Sequence, residues 1–219
     1  MPCTEAFVNV HGIRVHSSSQ IGQTHASDLW LCGNFSVTGT TTSSHCLKMQ
    51  ACTRSNLPNV GKSDRIPGLA AGLKATADRV AATIEALGPD HADIAGHSHG
   101  GAVALMLAVR HPERVRSLIL FALANPYSTS SDLIVRLYSS RPGRLLARWA
   151  PYVPRTIQRI ALGRMYGNPA RINDACLTGY IEDLRQPGAV DHIMEIVRCW
   201  FRYGQTEDCA GRSDSDVSF

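Results

Sequence analysis

The residues of this sequence best suited to chemistry are a serine and the two glycines around it. Residues 96–100 are Gly-His-Ser-His-Gly, which fits the pattern G-x-S-x-G with Ser98 at its centre. Gly96 and Gly100 carry no Cβ, so two elements can approach closely while Ser98 occupies a sharp, strained turn between them. Such a turn holds the hydroxyl clear of its surroundings. The pattern therefore predicts that Ser98 is a nucleophile that attacks an ester or related carbonyl carbon.

The elements on either side of Ser98 have the order that this chemistry requires. The segment HADIAG (91–96) is typical of a short strand, and GGAVALMLAVRH (100–111) of an apolar helix that ends before Pro112. The first turn of a helix offers N–H groups without intrahelical partners and a partial positive charge. We therefore predict that the backbone N–H of His99 donates to an oxyanion. The alternative, a glycine-rich turn with an incidental serine, is disfavoured by this strand–turn–helix context.

The remainder of the first 126 residues alternates between predicted strands and helices. Alternating polar and apolar residues around His11-Gly12 predict a β-hairpin, and Gly88-Pro89 ends a predicted helix. No element is predicted over residues 36–56, and the Pro- and Gly-rich residues 57–68 predict a loop. The other predictions are hairpin strands within 6–16, a buried strand at 28–32, a helix at 69–87 and a strand buried on both faces at 115–122. This order predicts βαβ units, a mainly parallel sheet and the α/β class.

The pattern changes after residue 126. Apolar residues between 127 and 203 recur at helical spacing, and no strand is predicted there. Residues 204–219 are polar and contain Gly and Ser, which predicts a disordered tail. The predicted organisation is therefore an α/β core at 1–126, a helical region at 127–203 and a polar tail at 204–219.

Four segments resemble the α/β-hydrolase fold family. GHSHGGAVALMLAVRHPERVRSLILFALANP resembles the family's nucleophile elbow, following helix and next strand. VNVHGIRVH resembles the opening hairpin, LPNVGKSD the loop LPGxGxSD, and residues 127–203 the cap inserted after the sixth strand. The resemblance runs from about residue 6 to about residue 203 and is nearest to the esterase, epoxide hydrolase and haloalkane dehalogenase branch. It implies an α/β-hydrolase sheet with an N-terminal hairpin and a helical cap, in which the last strands of the fold are missing.

The resemblance also implies where a second oxyanion donor lies. The family has His-Gly after its third strand, and backbone just beyond it supplies that donor. Here residues 32–35, Cys-Gly-Asn-Phe, occupy this place. The resemblance therefore implies that the backbone N–H of Asn34 or Phe35 is the second oxyanion donor, in addition to the N–H of His99. Two further departures follow in the next loop, where Asn56 replaces the family's Asp and Asn59 its Gly.

The family's catalytic acid and histidine have no counterpart in this sequence. Family order is Ser, then Asp or Glu, then His. The last histidine here, His192, lies in the predicted cap. The nearest acid after the sixth strand, Asp132, is weakly placed, and Asn125 lies nearer the end of that strand. His97 and His99 flank the nucleophile but are expected to point away from it. Turn, surface or helix-end positions are expected for His11, His16, His25, His45, His91 and His111.

Composition excludes several other classes of protein. The net charge is +4 without a run of like charges, so no nucleic-acid surface is expected. No signal peptide and no apolar run of about 18 residues is present, which predicts a cytoplasmic protein without a membrane span. The seven cysteines are scattered without a CxxC pair, so neither disulfides nor a metal site is expected. Residues 61–63, Gly-Lys-Ser, lack the first glycine of a P-loop, and no GxGxxG follows the first strands, so no cofactor is expected.

Two functions remain open from the sequence. The first is serine-hydrolase chemistry on an ester or similar small apolar substrate, with an incomplete triad. The second is a non-catalytic product, a truncated hydrolase or pseudoenzyme that acts at most as a binding module. A sheet that ends at its sixth strand leaves one edge unpaired, and a homodimer through that edge is a further hypothesis.

Overall fold

The computed structural model describes residues 4–20, 28–32, 52–123, 140–164 and 168–203, and a six-stranded sheet runs through its N-terminal part. The strands are β1 Thr4–Val10, β2 Ile13–Gln20, β3 Asp28–Cys32, β4 Cys52–Asn56, β5 Ala92–His97 and β6 Val115–Phe121. Their order in the sheet is β1-β2-β4-β3-β5-β6. β2 pairs antiparallel with both β1 and β4, whereas β4, β3, β5 and β6 run parallel. The predicted mainly parallel sheet with an N-terminal hairpin is confirmed.

The hairpin owes its geometry to its two turn residues. His11 and Gly12 have φ values of 51° and 83°. Two consecutive positive φ angles are characteristic of the tight turns that match the twist of paired strands. The side chain of Asn9 adds a hydrogen bond, because its Oδ1 accepts from the Gly12 N–H at 2.8 Å. The hairpin was predicted, and its strands are longer than the sequence pattern indicated.

Two helices cover the sheet and form the core with it. Helix α1 spans Leu73–Leu87 and α2 spans His99–Arg110, followed by a 3-10 turn at Pro112–Arg114. α1 ends at Gly88, whose φ of 104° is left-handed, as glycine allows. The largest buried cluster brings together apolar side chains of both helices and of β5: Leu73, Ala77, Val80, Ile84, Ile94, Val103 and Leu107. Burial of this face holds α2 behind the strand that ends beside Ser98.

Strand β4 lies within residues 36–56, where the sequence pattern did not allow an element to be placed. Its sequence is Cys-Thr-Arg-Ser-Asn, without the apolar alternation that identifies a strand. Thr53, Ser55 and Asn56 are nevertheless buried. β4 lies between β2 and β3, so ladder hydrogen bonds on both sides satisfy its backbone. This central position, and not side-chain hydrophobicity, explains why these polar residues form a strand.

Strand β6 is more exposed than its apolar sequence predicted. The exposed fractions of Ile119 and Phe121 are 51% and 41%. The prediction of a strand buried on both faces is therefore wrong for the described residues. Within them β6 pairs only with β5, so its outer edge carries no neighbouring strand. The hypothesis of a homodimer through this edge stays a prediction.

The described residues after β6 are helical, as the sequence indicated. The helices are α3 Arg141–Ala147, α4 Arg155–Gly163, α5 Asp174–Arg185 and α6 Ala189–Tyr203, with 3-10 turns at Ala150–Tyr152 and Pro169–Arg171. They enclose a small core of their own, formed by Leu162, Ile172, Leu177 and Tyr180. The predicted tail at 204–219 and residues 124–139 lie outside the described residues. Within the part that is described, no helix is both long and apolar enough to cross a membrane.

Candidate active site

Ser98 occupies a strained turn between a strand and a helix. β5 ends at His97 and α2 begins at His99, and Ser98 between them has φ 54° and ψ −120°. Residues other than glycine rarely adopt such backbone angles, which cost about 1–3 kcal/mol. The turn is held from both sides. The Ser98 N–H donates to the carbonyl of Phe121 at 3.0 Å, and the Ser98 carbonyl accepts from the N–H groups of Gly101 and Ala102 at 3.1 and 3.2 Å.

Close approach of β5 and α2 explains the glycines around Ser98. A Cβ on Gly96 would lie 2.6 Å from the Gly100 carbonyl oxygen and 2.7 Å from the Gly101 Cα. These are backbone atoms of a packed helix, so they cannot move aside as a flexible side chain would. A Cβ on Gly101 would in turn lie 3.2 Å from the Gly96 carbonyl oxygen. Gly96 and Gly100 were predicted from the G-x-S-x-G pattern, whereas Gly101 was missed, although the Gly-Gly doublet at 100–101 was the available signal.

The strain at Ser98 gives a testable stability difference. Ser98→Gly removes the Cβ that makes a positive φ unfavourable, whereas Ser98→Ala removes the hydroxyl and keeps the Cβ. We expect Ser98→Gly to be more stable than Ser98→Ala by about 1–2 kcal/mol, measured as the free energy of unfolding in urea. Equal stabilities would show that the surroundings, and not the backbone conformation, determine the energy of this turn.

Of the two histidines beside Ser98, His99 is buried and His97 is partly buried. Burial lowers the pKa of His97. The His99 side chain is 3% exposed, and burial, followed by the charge of His192, lowers its pKa to about 3. Both rings are therefore neutral near pH 7. No imidazole nitrogen of the described residues is hydrogen-bonded to the Ser98 hydroxyl, so the arrangement does not show which group would take its proton.

A partly buried contact joins His192 on α6 to the loop that follows β4. The Nδ1 atom of His192 lies 3.2 Å from Nδ2 of Asn59, which can donate to it when the ring is neutral. Burial, and then the positive charges of Arg79 and Arg65, lower the His192 pKa to about 4. From the sequence, His192 was expected in a cap helix without a role. In the structure His192 acts electrostatically on His99, the residue that follows Ser98 in the sequence.

Asn59 suits the position where the family has glycine. Its φ of 63° is left-handed, a conformation that asparagine tolerates better than most residues. The Asn59 side chain also stabilises the loop, because its Oδ1 accepts from the Ile66 N–H at 2.6 Å and its Nδ2 donates to the Ile66 carbonyl at 3.1 Å. The departure from the family's glycine is thus compatible with a regular loop.

His16 corrects the expectation of a turn, surface or helix-end position. It lies in β2 with 1% of its side chain exposed, and burial is the main cause of its lowered pKa. Its Nδ1 lies 3.2 Å from Nδ2 of Asn56, and its backbone N–H donates to the Ser63 hydroxyl at 2.9 Å. A Glu5 oxygen lies 3.6 Å from Nε2. These contacts connect the hairpin to the loop at 57–68 and give Asn56 a structural partner.

Several predicted site residues lie outside the described part of the chain. They are the second oxyanion donors Asn34 and Phe35, and the residues after the sixth strand, Asn125 and Asp132. His99 is the first residue of α2, where a backbone N–H has no intrahelical acceptor. Among the described residues, no group of three or more metal-ligating side chains is present.

Curated relatives carry hydrolase names. The chain is 49% identical over 47 residues to a 2-hydroxymuconate semialdehyde hydrolase from Pseudomonas sp. (strain CF600), covering 22% of this chain and 17% of the relative. It is 31% identical over 125 residues to a pimeloyl-[acyl-carrier protein] methyl ester esterase from Neisseria meningitidis (strain FAM18), covering 57% of this chain and 46% of the relative. The chain thus spans less than half the length of these relatives.

Structural similarity extends over more of the chain. The crystal structure of Cfl2 from Burkholderia cenocepacia superposes with a TM-score of 0.78 at 19% identity, covering 93% of this chain and 73% of that one. At this identity the likeness concerns the fold. The family model described as alpha/beta hydrolase fold matches residues 24–164, well over half of the chain. This chain belongs to the α/β-hydrolase fold family.

Proposed function

We propose that this chain carries the nucleophile of a serine hydrolase and that Ser98 attacks an ester or a similar carbonyl group. The observation that supports this most is the positive φ of Ser98 at the junction of β5 and α2. Strained backbone of this kind persists only where the surrounding structure holds it in place, and it is concentrated at functional sites. The relatives named as a methyl ester esterase and a semialdehyde hydrolase agree with this class of reaction.

The proposed reaction begins with attack of the Ser98 Oγ on the carbonyl carbon. The carbonyl oxygen becomes an oxyanion, which the N–H of His99 at the start of α2 stabilises together with a second backbone donor, Asn34 or Phe35. The tetrahedral intermediate then expels the alcohol and leaves an acyl group on Ser98, which water releases as an acid. The Ser98 proton must pass to a base during attack and from there to the leaving alcohol. The helices after residue 140 would bound the substrate pocket.

A covalent probe tests the nucleophile separately from turnover. An alkyl fluorophosphonate loses fluoride when a serine oxygen attacks its phosphorus, so an activated serine gains a stable phosphonyl group. We expect mass spectrometry to find this group on the peptide that contains Ser98, and to find none in Ser98→Ala or in the heat-denatured protein. Ser117→Ala is the matched control, because its exposed hydroxyl donates to Asp93 at 2.6 Å and lies on β6. Labelling of Ser117 in place of Ser98 would contradict the proposal.

The second candidate function is a binding module without catalysis. It is favoured by the absence, within the described residues, of an imidazole bonded to the Ser98 hydroxyl. A serine without a base is a weak nucleophile at neutral pH. In this case the folded protein would remain unlabelled by the fluorophosphonate and would still bind a small ligand between the core and the helices.

A further inference from the structure

A crevice separates the loop after β4 from helices α3 and α6. Its volume is about 680 Å³, which is the size of a small-molecule site. One wall is the segment from Arg65 to Ala71, and the other carries Arg144 of α3 and the residues of α6 that include His192 and Arg198. We call this space the arginine crevice. Ser98 is not among the residues that line it, but His192, which lines it, acts electrostatically on His99, the residue after Ser98 in the sequence.

The lining arginines of the α3–α6 wall, Arg144 and Arg198, are matched by two lining carboxylates, Asp191 and Glu195. Asp191 accepts two hydrogen bonds from Arg148, at 2.9 and 3.0 Å. Glu195 is shared by two guanidinium groups, since Arg198 donates to both of its oxygens and Arg144 lies 3.8 Å away. Arg148 does not line the crevice, so two arginines face two carboxylates on this wall, and the net positive charge of the crevice comes from Arg65.

Arg65 adds a further guanidinium from the opposite wall. Its hydrogen bonds go to the backbone carbonyls of Asn59 and Gly61, the latter at 3.1 Å, and no carboxylate of the described residues lies within ion-pair distance of it. Asp183 acts on it only through longer-range attraction, and burial outweighs that effect and lowers its pKa. A guanidinium carries five N–H donors in a planar fork that fits a carboxylate. A half-buried charge of this kind is stabilised when an anion binds beside it.

The same wall is otherwise apolar. Between Arg65 and the start of α1, the lining residues are Ile66, Pro67, Gly68, Leu69, Ala70 and Ala71. An inorganic anion would gain nothing from this surface, whereas an alkyl or alkenyl chain would bury apolar area against it. The positive charge of Arg65 and the apolar surface beside it therefore fit a ligand that has both an anionic group and an apolar body.

We propose that the arginine crevice binds the carboxylate end of a small substrate whose remaining body is apolar, with Arg65 as its main ionic contact and Arg144 as a second. The inference rests on the proposed function, because it names the substrate class for the hydrolysis assigned to Ser98. An ester of a dicarboxylic acid, with one carboxylate left ionised, belongs to this class. Arg65 would then determine specificity without touching the reacting carbonyl.

Binding, and not turnover, tests this inference. Isothermal titration calorimetry of the full chain measures the affinities for hexanoate, 1-hexanol and inorganic phosphate. Hexanoate has both a charge and an apolar chain, 1-hexanol has only the chain and phosphate has only the charge, so the comparison separates the two contributions to binding. We expect hexanoate to bind at least about tenfold more tightly than either of the others, since a hydrogen-bonded charge pair and an apolar chain are needed together. Ser98→Ala should bind hexanoate as the wild type does.

Matched arginine variants complete the test. Arg65→Gln should weaken hexanoate binding about tenfold or more and leave the affinity for 1-hexanol unchanged. Arg144→Gln, whose only described ion pair is the 3.8 Å contact to Glu195, should weaken it by a smaller factor and serves if Arg65→Gln does not fold. Arg114→Gln is the control, because this arginine pairs with Glu85 at 3.3 Å in the 3-10 turn after α2.

Three results would overturn the inference. They are equal affinities for hexanoate and 1-hexanol, phosphate binding as tight as hexanoate binding, and unchanged hexanoate binding in folded Arg65→Gln and Arg144→Gln. Fluorophosphonate labelling of Ser98 together with any of these would leave the proposed hydrolase function intact. Hexanoate binding that depends on Arg65, without labelling of Ser98, would instead support the crevice and contradict the catalytic role.

Discussion

Ser98→Ala is expected to lower the hydrolysis of p-nitrophenyl butyrate to the rate in buffer, a loss of about a thousandfold or more relative to the wild type. Removal of a nucleophile that forms a covalent intermediate eliminates the reaction path, and only oxyanion binding and substrate positioning remain. The substitution deletes one oxygen and retains the backbone strain, so the fold should persist. Release of p-nitrophenolate under steady-state conditions measures the effect.

The early phase of the same assay reports which step is slow. If Ser98 is acylated faster than water releases the acyl group, the wild type will show a burst of p-nitrophenolate in proportion to its concentration. Ser117→Ala should keep both burst and steady rate. A Ser98→Ala protein that hydrolyses the ester as fast as the wild type would rule out Ser98 as the nucleophile.

The elbow was predictable because its determinants are local. A serine in strained dihedrals, a glycine that must lack a Cβ and a helix that follows at once all occur within six residues. The strand–helix alternation on either side is also a short-range signal, which is why β5, α1 and α2 were anticipated to within a few residues. Local sequence thus determines the position and conformation of Ser98, the proposed nucleophile.

The parts that were missed depend on contacts between distant residues. Asn59 and His192 meet across 133 positions of sequence, and neither residue carries a pattern that indicates the other. β4 is polar and is stabilised by strands on both sides. His16 follows Val15 in an ordinary alternation, yet it is buried because the loop at 57–68 covers it. Long-range packing assigns these residues their roles, and a single sequence records little of it.

The exposure of β6 illustrates the opposite error. A largely apolar strand, here with four consecutive apolar residues at 118–121, is normally covered on both faces. Here the described chain provides one neighbouring strand and the packing of α2, so Leu118 is half-buried while Ile119 and Leu120 remain exposed. The apolar side chains of a strand therefore indicate that burial would stabilise it, but they do not specify which element of the chain covers them.

The tight junction between β5 and α2 predicts that Gly96→Ala is strongly destabilising. The new Cβ would meet the Gly100 carbonyl oxygen and the Gly101 Cα at distances that real Cβ atoms do not adopt, so the helix must shift away from the strand. Overpacking against backbone costs about 3 kcal/mol, which for a chain of this size lowers Tm by about 10 °C. Thermal unfolding followed by circular dichroism measures the change.

Gly163→Ala separates this clash from the general effect of replacing glycine. Gly163 is the last residue of α4, and its added Cβ would lie 3.5 Å from the Pro169 Cβ, an ordinary contact. Its Tm should therefore stay within a few degrees of the wild type, because glycine-to-alanine changes in unstrained helices alter stability by at most about 1 kcal/mol. If both variants unfolded at the wild-type temperature, the close approach of β5 and α2 would not exist in solution. A loss confined to Gly96→Ala, together with reduced labelling of Ser98, would show that this glycine keeps the helix near enough to hold the serine in its strained turn.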